Sequence, residues 1–327
     1  MRHHVRLGFS LGDYPRPPEG DAGLFDSVLA QVQAAERSGF DSVWVPDHLM
    51  QTPVVAPRDD PMLECYTLLG ALAAATSSVS LGAFVGCAAY RNPALLAKAV
   101  TTLDVISKGR AVFGIGAGWF EGEHQAFGYQ FGTVAERFER LAEVIEIVRS
   151  MLSADETHFE GRHFRADGAV NYPRPLQPGG PPILIGGSGE RRTLRLVAEH
   201  ADICNLTGGP ARLAHLNRVL DSHCRAVGRD PAEICRTFIN LVIVRDSAEE
   251  ADQAVPAAYK EIAPEVTDHL SETVRPIAGT RDQVVDQLRR HLEAGIDGMI
   301  LSCAAADRNA RYVELLGELA AEAYGAP

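Results

Sequence analysis

The sequence predicts an α/β protein, a closed (β/α)8 TIM barrel running as one domain over residues 1–327, and three observations carry that prediction. Short apolar runs of strand length alternate with helix-period stripes along the whole chain. The runs are evenly spaced, with no break between a nucleotide half and a substrate half, which favours a closed barrel over a doubly wound open sheet. The length of 327 residues suits one barrel of roughly 250 residues plus insertions.

Residues 5–9 form the first apolar strand and lead into a Gly/Pro-rich loop over 12–23. Leu24, Val28, Val32 and Ala35 then share one helix face, and Gly39 ends that helix as a C-terminal glycine does. Residues 42–46 are the second strand, too continuously apolar for a sheet with a wet face. The third strand spans 79–85. Asn92-Pro93 supplies an N-cap and a proline at the first helical position, Leu96, Val100, Leu103 and Ile106 supply the buried face, and Gly109 the stop. Strand four is 111–115, and Phe138, Leu141, Ile145, Val148 and Leu152 mark an amphipathic helix.

Residues 155–181 break the rhythm. Phe159-Glu160-Gly161-Arg162-His163-Phe164 reads as a hairpin around Gly161, and the proline-rich stretch 173–182 cannot be helix interior. This is an insertion before strand five, because alternation resumes at 183–185. Strand six is 201–205 and strand seven 239–244. A second, polar and helical insertion covers 247–280, before strand eight at 298–301. Val284, Leu288 and Leu292 mark the helix before that strand, and Val313, Leu316 and Leu319 the last one.

Composition narrows the partners. Hydrophobic residues make up 46% and charged residues 23% of the chain, a globular profile. A net charge of −12 argues against nucleic acid or anionic lipid, which need clustered cations, and leaves a small-molecule substrate as the expected partner. No apolar run reaches the ~20 residues of a membrane span, and residues 1–5 pass directly into the first strand without a signal peptide. The expected location is the cytoplasm. The six cysteines, at 65, 87, 204, 224, 235 and 303, contain no CxxC pair, so reduced buried thiols and no metal site are expected.

In a barrel the chemistry sits just after each strand. Gly186-Gly187-Ser188-Gly189-Glu190-Arg191 follows strand five and leads into a helix beginning near Glu190. Free backbone N–H groups there can bind a phosphate, with Ser188 as hydroxyl donor and Arg191 as counter-charge. The alternative is an ordinary turn using glycine for positive φ. Gly114-Ile115-Gly116-Ala117-Gly118-Trp119 reads GxGxG rather than GxGxxG, and no acidic residue closes a strand about 20 residues on, so a dinucleotide fold is disfavoured.

His48, after strand two, is the candidate proton or hydrogen-bond donor, weighed against a structural histidine. His124 is a weaker candidate, weighed against a surface loop residue, and Trp119 is either a pocket wall or simple packing. Cys87 is a small lining residue, with no base in view to make it a nucleophile. Ser10 and Asn205, at the ends of strands one and six, complete the expected substrate pocket with His124. No GxSxG, HExxH or Walker motif is present.

Several of these runs together resemble the bacterial luciferase-like monooxygenases. They are Ser42-Val43-Trp44-Val45-Pro46-Asp47-His48, Tyr90-Arg91-Asn92-Pro93-Ala94-Leu95-Leu96-Ala97-Lys98, Leu103-Asp104-Val105-Ile106-Ser107-Lys108-Gly109-Arg110, the glycine run 114–119, the hairpin 159–164 and Pro182-Ile183-Leu184-Ile185-Gly186-Gly187. The resemblance spans nearly the whole chain, with its motifs in order. It implies a TIM barrel, often a homodimer, that binds reduced FMN or the deazaflavin coenzyme F420.

It also implies His48 beside the ring, and a bulged end of strand three at Val85, Gly86 and Cys87 beneath it. A non-proline cis peptide is expected between Phe84 and Cys87. Gly187, Ser188 and their neighbours would hold the phosphate, with Ala117 and Trp119 near the ring. The Asp47-His48 pair, the Gly116-Ala117-Gly118-Trp119-Phe120 run and the hairpin resemble the F420-dependent branch. The expectation is therefore hydride transfer between F420 and a small organic substrate. An FMN-dependent monooxygenase and a non-catalytic flavin-binding protein are the alternatives.

Overall fold

The computed structural model describes residues 5–14, 16–52, 56–258 and 275–325. The chain begins with β1 (Leu7–Ser10), α1 (Leu24–Arg37), β2 (Ser42–Val45), α2 (Cys65–Ala75), β3 (Ser80–Ala83) and β4 (Gly86–Cys87). It continues through α3 (Pro93–Ser107), β5 (Ala111–Gly116), α4 (Glu121–Ala126), α5 (Val134–Ser153), β6 (Thr157–Glu160) and β7 (Arg165–Ala169). Then come β8 (Ile183–Gly186), α6 (Thr193–His200), β9 (Ile203–Leu206), α7 (Pro210–Ala226), β10 (Cys235–Val244) and α8 (Ala248–Ala258). β11 (Ile277–Gly279), α9 (Arg281–Glu293), β12 (Gly298–Cys303) and α10 (Ala310–Ala323) complete the described elements.

The parallel strands close on themselves in the order β1, β2, β3 with β4, β5, β8, β9, β10, β12 and back to β1. The closing register sets Leu7 opposite Met299 and Gly8 opposite Ile300. This is the (β/α)8 barrel read from the alternation. Its centre is plugged by Trp44, whose indole N–H donates to Ser42 Oγ at 3.0 Å. A Cβ on Gly8 would lie 2.5 Å from Trp44 Nε1, and one on Gly82 2.9 Å from its Cζ3, so both glycines make room for that ring. The Phe84 ring packs edge-on above Trp44 with centroids 5.6 Å apart, and together they form the base of the mouth. A larger cluster, including Phe9, Leu69, Leu96, Phe113, Leu141 and Leu213, fills the layer between sheet and helices.

Local signals explain the element ends. Asn92 Oδ1 accepts from the backbone of Ala94 and Leu95 to start α3 with Pro93 in its first turn. Thr133 and Glu136 form a capping box that starts α5 four residues before its apolar stripe. The hairpin β6–β7 is an insertion whose tip is tied to α5, since Glu143 accepts from the backbone N–H groups of Arg162, His163 and Phe164.

Four expectations need adjusting. The third strand is not continuous over 79–85: it stops at Ala83, turns through a cis Phe84–Val85 peptide, and resumes as β4 against β5. The seventh strand starts earlier, at Cys235, where Arg236 and Thr237 hide the apolar pattern. The helix after strand five begins at Thr193 rather than near Glu190, because residues 190–192 form a wide turn closed by Leu194 N–H on Gly189 O at 3.0 Å. In the second insertion α8 is helical, residues 275–280 carry the short strand β11 beside β10, and 259–274 lie outside the described residues. No helix among the described residues is long and apolar enough to cross a membrane.

Candidate functional site

The mouth of the barrel is shaped by the break between β3 and β4. A Cβ on Gly114 would lie 1.9 Å from the Ala83 carbonyl oxygen, so only glycine lets the two strands meet there. Beyond the break Val85 projects over the opening, and Cβ atoms on Gly116 and Gly186 would sit 2.7 and 2.9 Å from its methyl groups. Three glycines on β5 and β8 therefore leave a low surface with Val85 as its ridge. Asp47 pins the far side: it accepts from Cys87 N–H at 2.9 Å and takes a two-pronged ion pair from Arg91 at 2.6 and 2.8 Å.

His48 stands at the rim, a quarter exposed, and its Nδ1 lies 2.9 Å from Glu123 Oε2. Glu123 is fully buried at the start of α4 and also accepts from the Tyr90 hydroxyl and from Met50 N–H at 3.1 Å. Burial pushes the Glu123 carboxyl up, but hydrogen bonds from His48, Tyr90 and the Leu49 backbone, with the attraction of His48, outweigh it and hold its pKa below the usual 4.5. An ionised Glu123 can only accept, so Nδ1 carries a proton and Nε2 is the ring nitrogen left for a ligand. Edge-on contacts to Trp119 and Phe120, with ring centroids 5.9 and 6.5 Å away, fix the ring from the outside.

These groups border a cavity of about 380 Å³, floored by Phe84, Val85, Gly116 and Gly186 and walled by Trp119, Phe138 and Ile239. On its far side lies the turn after β8. Gly187 has φ +127°, a conformation side chains rarely adopt, and a Cβ on Gly189 would sit 2.7 Å from Thr193 Oγ1. Ser188 Oγ accepts from Thr207 N–H at 2.9 Å and shares a hydrogen bond with the Thr207 hydroxyl. Arg137 of α5 also lines this cavity, stacked 3.9 Å over the Phe131 ring. Burial lowers its pKa, and no ion pair holds it among the described residues. A glycine turn with fixed hydroxyls and a nearby guanidinium has the donor set of a phosphate site. A larger cavity of about 490 Å³ opens at the opposite face, among Arg149, His200, Asp202, Arg229 and Glu233. It meets the starts of strands rather than their ends, so the mouth is the candidate site.

The residues singled out from the sequence fall into three groups. His48, Val85, Cys87, Ala117, Trp119, Gly186, Gly187 and Asn205 all line the mouth cavity. Gly86, Ser188 and Gly189 lie directly behind that lining, supporting the bulge and the turn. The rest lie elsewhere. Glu190 is exposed, its carboxylate 3.1 Å from His215 and its carbonyl accepting from His223. Arg191 is exposed on a neighbouring groove. Ser10 is buried in β1 and does not border the cavity.

His124, expected in the substrate pocket, is fully buried beneath it. The turn of α4 packs its ring against Tyr90 and Phe131, Nδ1 donates to Phe120 O at 2.9 Å, and Nε2 stands 3.7 Å from Cys87 Sγ. Burial pushes the Cys87 thiol up to about 12, so it is protonated at neutral pH. The sequence reading gave no role to Glu123, Tyr90, Arg91 or Arg137, and took Asp47 only as the neighbour of His48. Among the described residues, no group of three or more His, Cys, Asp or Glu side chains could hold a metal ion.

A family model described as luciferase-like monooxygenase matches residues 6–300. The F420-dependent hydroxymycolic acid dehydrogenase of Mycobacterium tuberculosis is 32% identical over 70% of this chain and 62% of its own length. That last figure means the chain spans about three fifths of this relative. The F420-dependent glucose-6-phosphate dehydrogenase of Nakamurella multipartita is 29% identical over 87% of this chain and 88% of its own. An F420-dependent secondary alcohol dehydrogenase, solved with an F420–acetone adduct, shares the fold with a TM-score of 0.79 at 22% identity, over 97% of this chain and 98% of that one. With the match running from β1 into β12, the chain belongs to the luciferase-like monooxygenase family.

Proposed function

We propose that this protein is an F420-dependent oxidoreductase that transfers a hydride between the deazaflavin and a small organic substrate. The observation that carries the reading is the His48–Glu123 pair at the rim of a glycine-floored cavity. The residues fit the cofactor: side-chain-free positions at Gly116 and Gly186 leave a surface for a flat ring, and the Gly187–Gly189 turn stands where its phosphate would lie. Bound F420 supplies a carbon that carries a hydride as a two-electron unit. The chain supplies orientation and proton handling.

Glu123 holds the Nδ1 proton of His48, which presents Nε2 to a substrate oxygen or nitrogen. As hydride arrives at or leaves the neighbouring carbon, Nε2 gives or takes the matching proton. Trp119 and Phe120 stack with centroids 5.5 Å apart and shield that exchange from water. Ser188, held by Thr207, and Arg137 would hold the phosphate end. The cavity is open, and the hairpin insertion does not line it, which supports an enzyme over a non-catalytic flavin store.

The reading includes a single-domain, cytoplasmic homodimer. Ile106, expected on the buried face of α3, is instead exposed, and with Leu95 it leaves an apolar stripe flanked by Tyr172 and Leu176, which are anchored to α3 through Lys98 and Asp104. An anaerobic screen of ketones, alcohols, imines and enones, following the deazaflavin's visible absorbance, tests the function. Turnover with F420 is the expected result; turnover only with reduced FMN and oxygen would replace it with monooxygenation.

A further inference from the structure

Two side chains converge on one oxygen of the buried carboxylate at the mouth. Glu123 Oε2 accepts from His48 Nδ1 at 2.9 Å and from the Tyr90 hydroxyl, while Oε1 takes the backbone N–H groups of Leu49 and Met50. Tyr90 and His48 therefore share the charge on Oε2.

The Tyr90 hydroxyl is held in place by the broken strand. Its backbone N–H donates to the carbonyl of Cys87, the last residue of β4, at 3.1 Å. Its ring packs against Tyr129 and His124, with centroids 4.8 and 5.0 Å away, and the residue borders the mouth cavity while only 8% exposed. Burial, with the hydrogen bond to Glu123, pushes the phenol far above its usual 10, so it stays a donor at every working pH.

The other ionisable groups nearby are engaged elsewhere. Asp47 and Arg91, on the same wall, pair with each other. His124, beside Glu123 on α4, donates to Phe120 O and faces Cys87, whose thiol is protonated. Glu121, on the exposed side of α4, accepts from Gln125, and Arg137 of α5 stacks on Phe131.

We propose that Tyr90 is a positioning residue that keeps Nε2 of His48 free to accept a proton, acting through the carboxylate oxygen the two residues share. The inference rests on the reading of His48 as the proton-exchanging group. A carboxylate beside an imidazole favours the doubly protonated ring, in which Nε2 is already occupied. A second donor on the same oxygen stabilises the negative charge. The His48–Glu123 pair then takes up its extra proton only at lower pH.

The test begins with the apoprotein, which needs no cofactor. Histidine-ring NMR, with the His48 signals assigned by their loss in H48A, gives the pH midpoint at which that ring gains its second proton. In Y90F the midpoint should rise by about one pH unit, the scale of losing one hydrogen bond to a charged group. The acid limb of kcat/KM for substrate oxidation should move by the same amount in the same direction. Y129F alters only the neighbouring ring and keeps the Tyr90 hydroxyl, so it should leave both in place.

An unmoved midpoint in Y90F, or an equal rise in Y129F, would overturn the role of the hydroxyl. If Y90F does not fold, 3-fluorotyrosine at position 90 is the stronger donor and should lower the midpoint. No change or a rise there would equally overturn it. A raised midpoint in Y90F without hydride transfer to or from F420 would remove the cofactor reading and leave the link from Tyr90 to His48 standing.

Discussion

The two ends of the barrel use polar groups in opposite ways. At the N-terminal face, carboxylates close the cylinder. Asp41, Asp202 and Asp297 each stand one residue before a strand and accept backbone N–H groups at the start of the neighbouring one. Asp41 takes Arg6 and Leu7 at 2.7 and 3.0 Å, Asp202 takes Ile183 at 2.8 Å, and Asp297 takes Arg236 at 2.8 Å. Glu36 does the same for Ser77 and Ser78 in the turn before β3, and Arg110 binds the carbonyls of Ala73, Thr76 and Val79.

At the C-terminal face a strand is broken, glycines replace side chains, a tryptophan is half exposed, and a histidine nitrogen has no partner among the described residues. The lesson is that, with the proposed function at the mouth, stability and function are physically separated here. Groups at the floor satisfy the fold's own backbone, while those at the mouth satisfy each other only far enough to aim His48 and leave a cavity.

That separation can be broken from either end. The largest effect is expected at the mouth: His48→Ala should lower kcat by about 10² to 10⁴, the range for losing a positioned proton donor, with an unchanged melting temperature. Comparable activity in steady-state kinetics would remove His48 from the chemistry. Next, Glu123→Gln keeps the shape but removes the charge that anchors Nδ1. It should cost about ten- to a hundred-fold in kcat with little change in KM, and alter the acid limb of the pH profile. The folded Glu123 pKa is lowered, so its charge is present above the usual carboxylate range and lost only as pH falls beneath it. A merely structural Glu123 would shift stability and leave that limb in place.

At the floor the expected effects are smaller and of the other kind. Asp41→Ala leaves the N–H groups of Arg6 and Leu7 without an acceptor and should cost about 2 kcal/mol in denaturant unfolding, with kinetics and cofactor affinity intact. Glu36→Gln should show the least. Burial raises the Glu36 carboxyl, but hydrogen bonds from Ser78, Ser77 and Val79 dominate and bring it to about 2 from 4.5. Its stabilisation is therefore complete above pH 4.5 and lost as pH falls toward 2. The variant should be about 1 kcal/mol less stable at neutral pH, with the difference vanishing as pH falls through about 2 in acid melts.

Much of the floor and part of the mouth were legible in the sequence. Strand–helix alternation shows because a parallel strand buried on both faces must be apolar throughout, while each outer helix is apolar on one stripe. The turn at Gly186 to Gly189 shows because positive φ and close approach leave glycine as the residue that fits. The break after Ala83 is hidden: Phe84 and Val85 look like more of the same strand, and only the family resemblance pointed to a bulge.

Glu123 is hidden for a different reason. It lies 75 residues from His48, on a six-residue helix without a periodic stripe, and nothing local marks its contact. Histidine advertises proton chemistry and so draws attention to His124, yet in α4 it is the glutamate that faces His48. The ion pair between Arg91 and Asp47, 44 residues apart, is hidden in the same way. The strand β11 and the early start of β10 escaped because their polar residues blur the alternation.

The most direct test of the account is a titration of the apoprotein with F420 and with FMN, wild type beside His48→Ala. The account expects saturable F420 binding much tighter than FMN binding in both proteins, since floor glycines and phosphate turn are intact in the variant, with hydride transfer lost only in the variant. Tight FMN binding with no detectable F420 binding would contradict it.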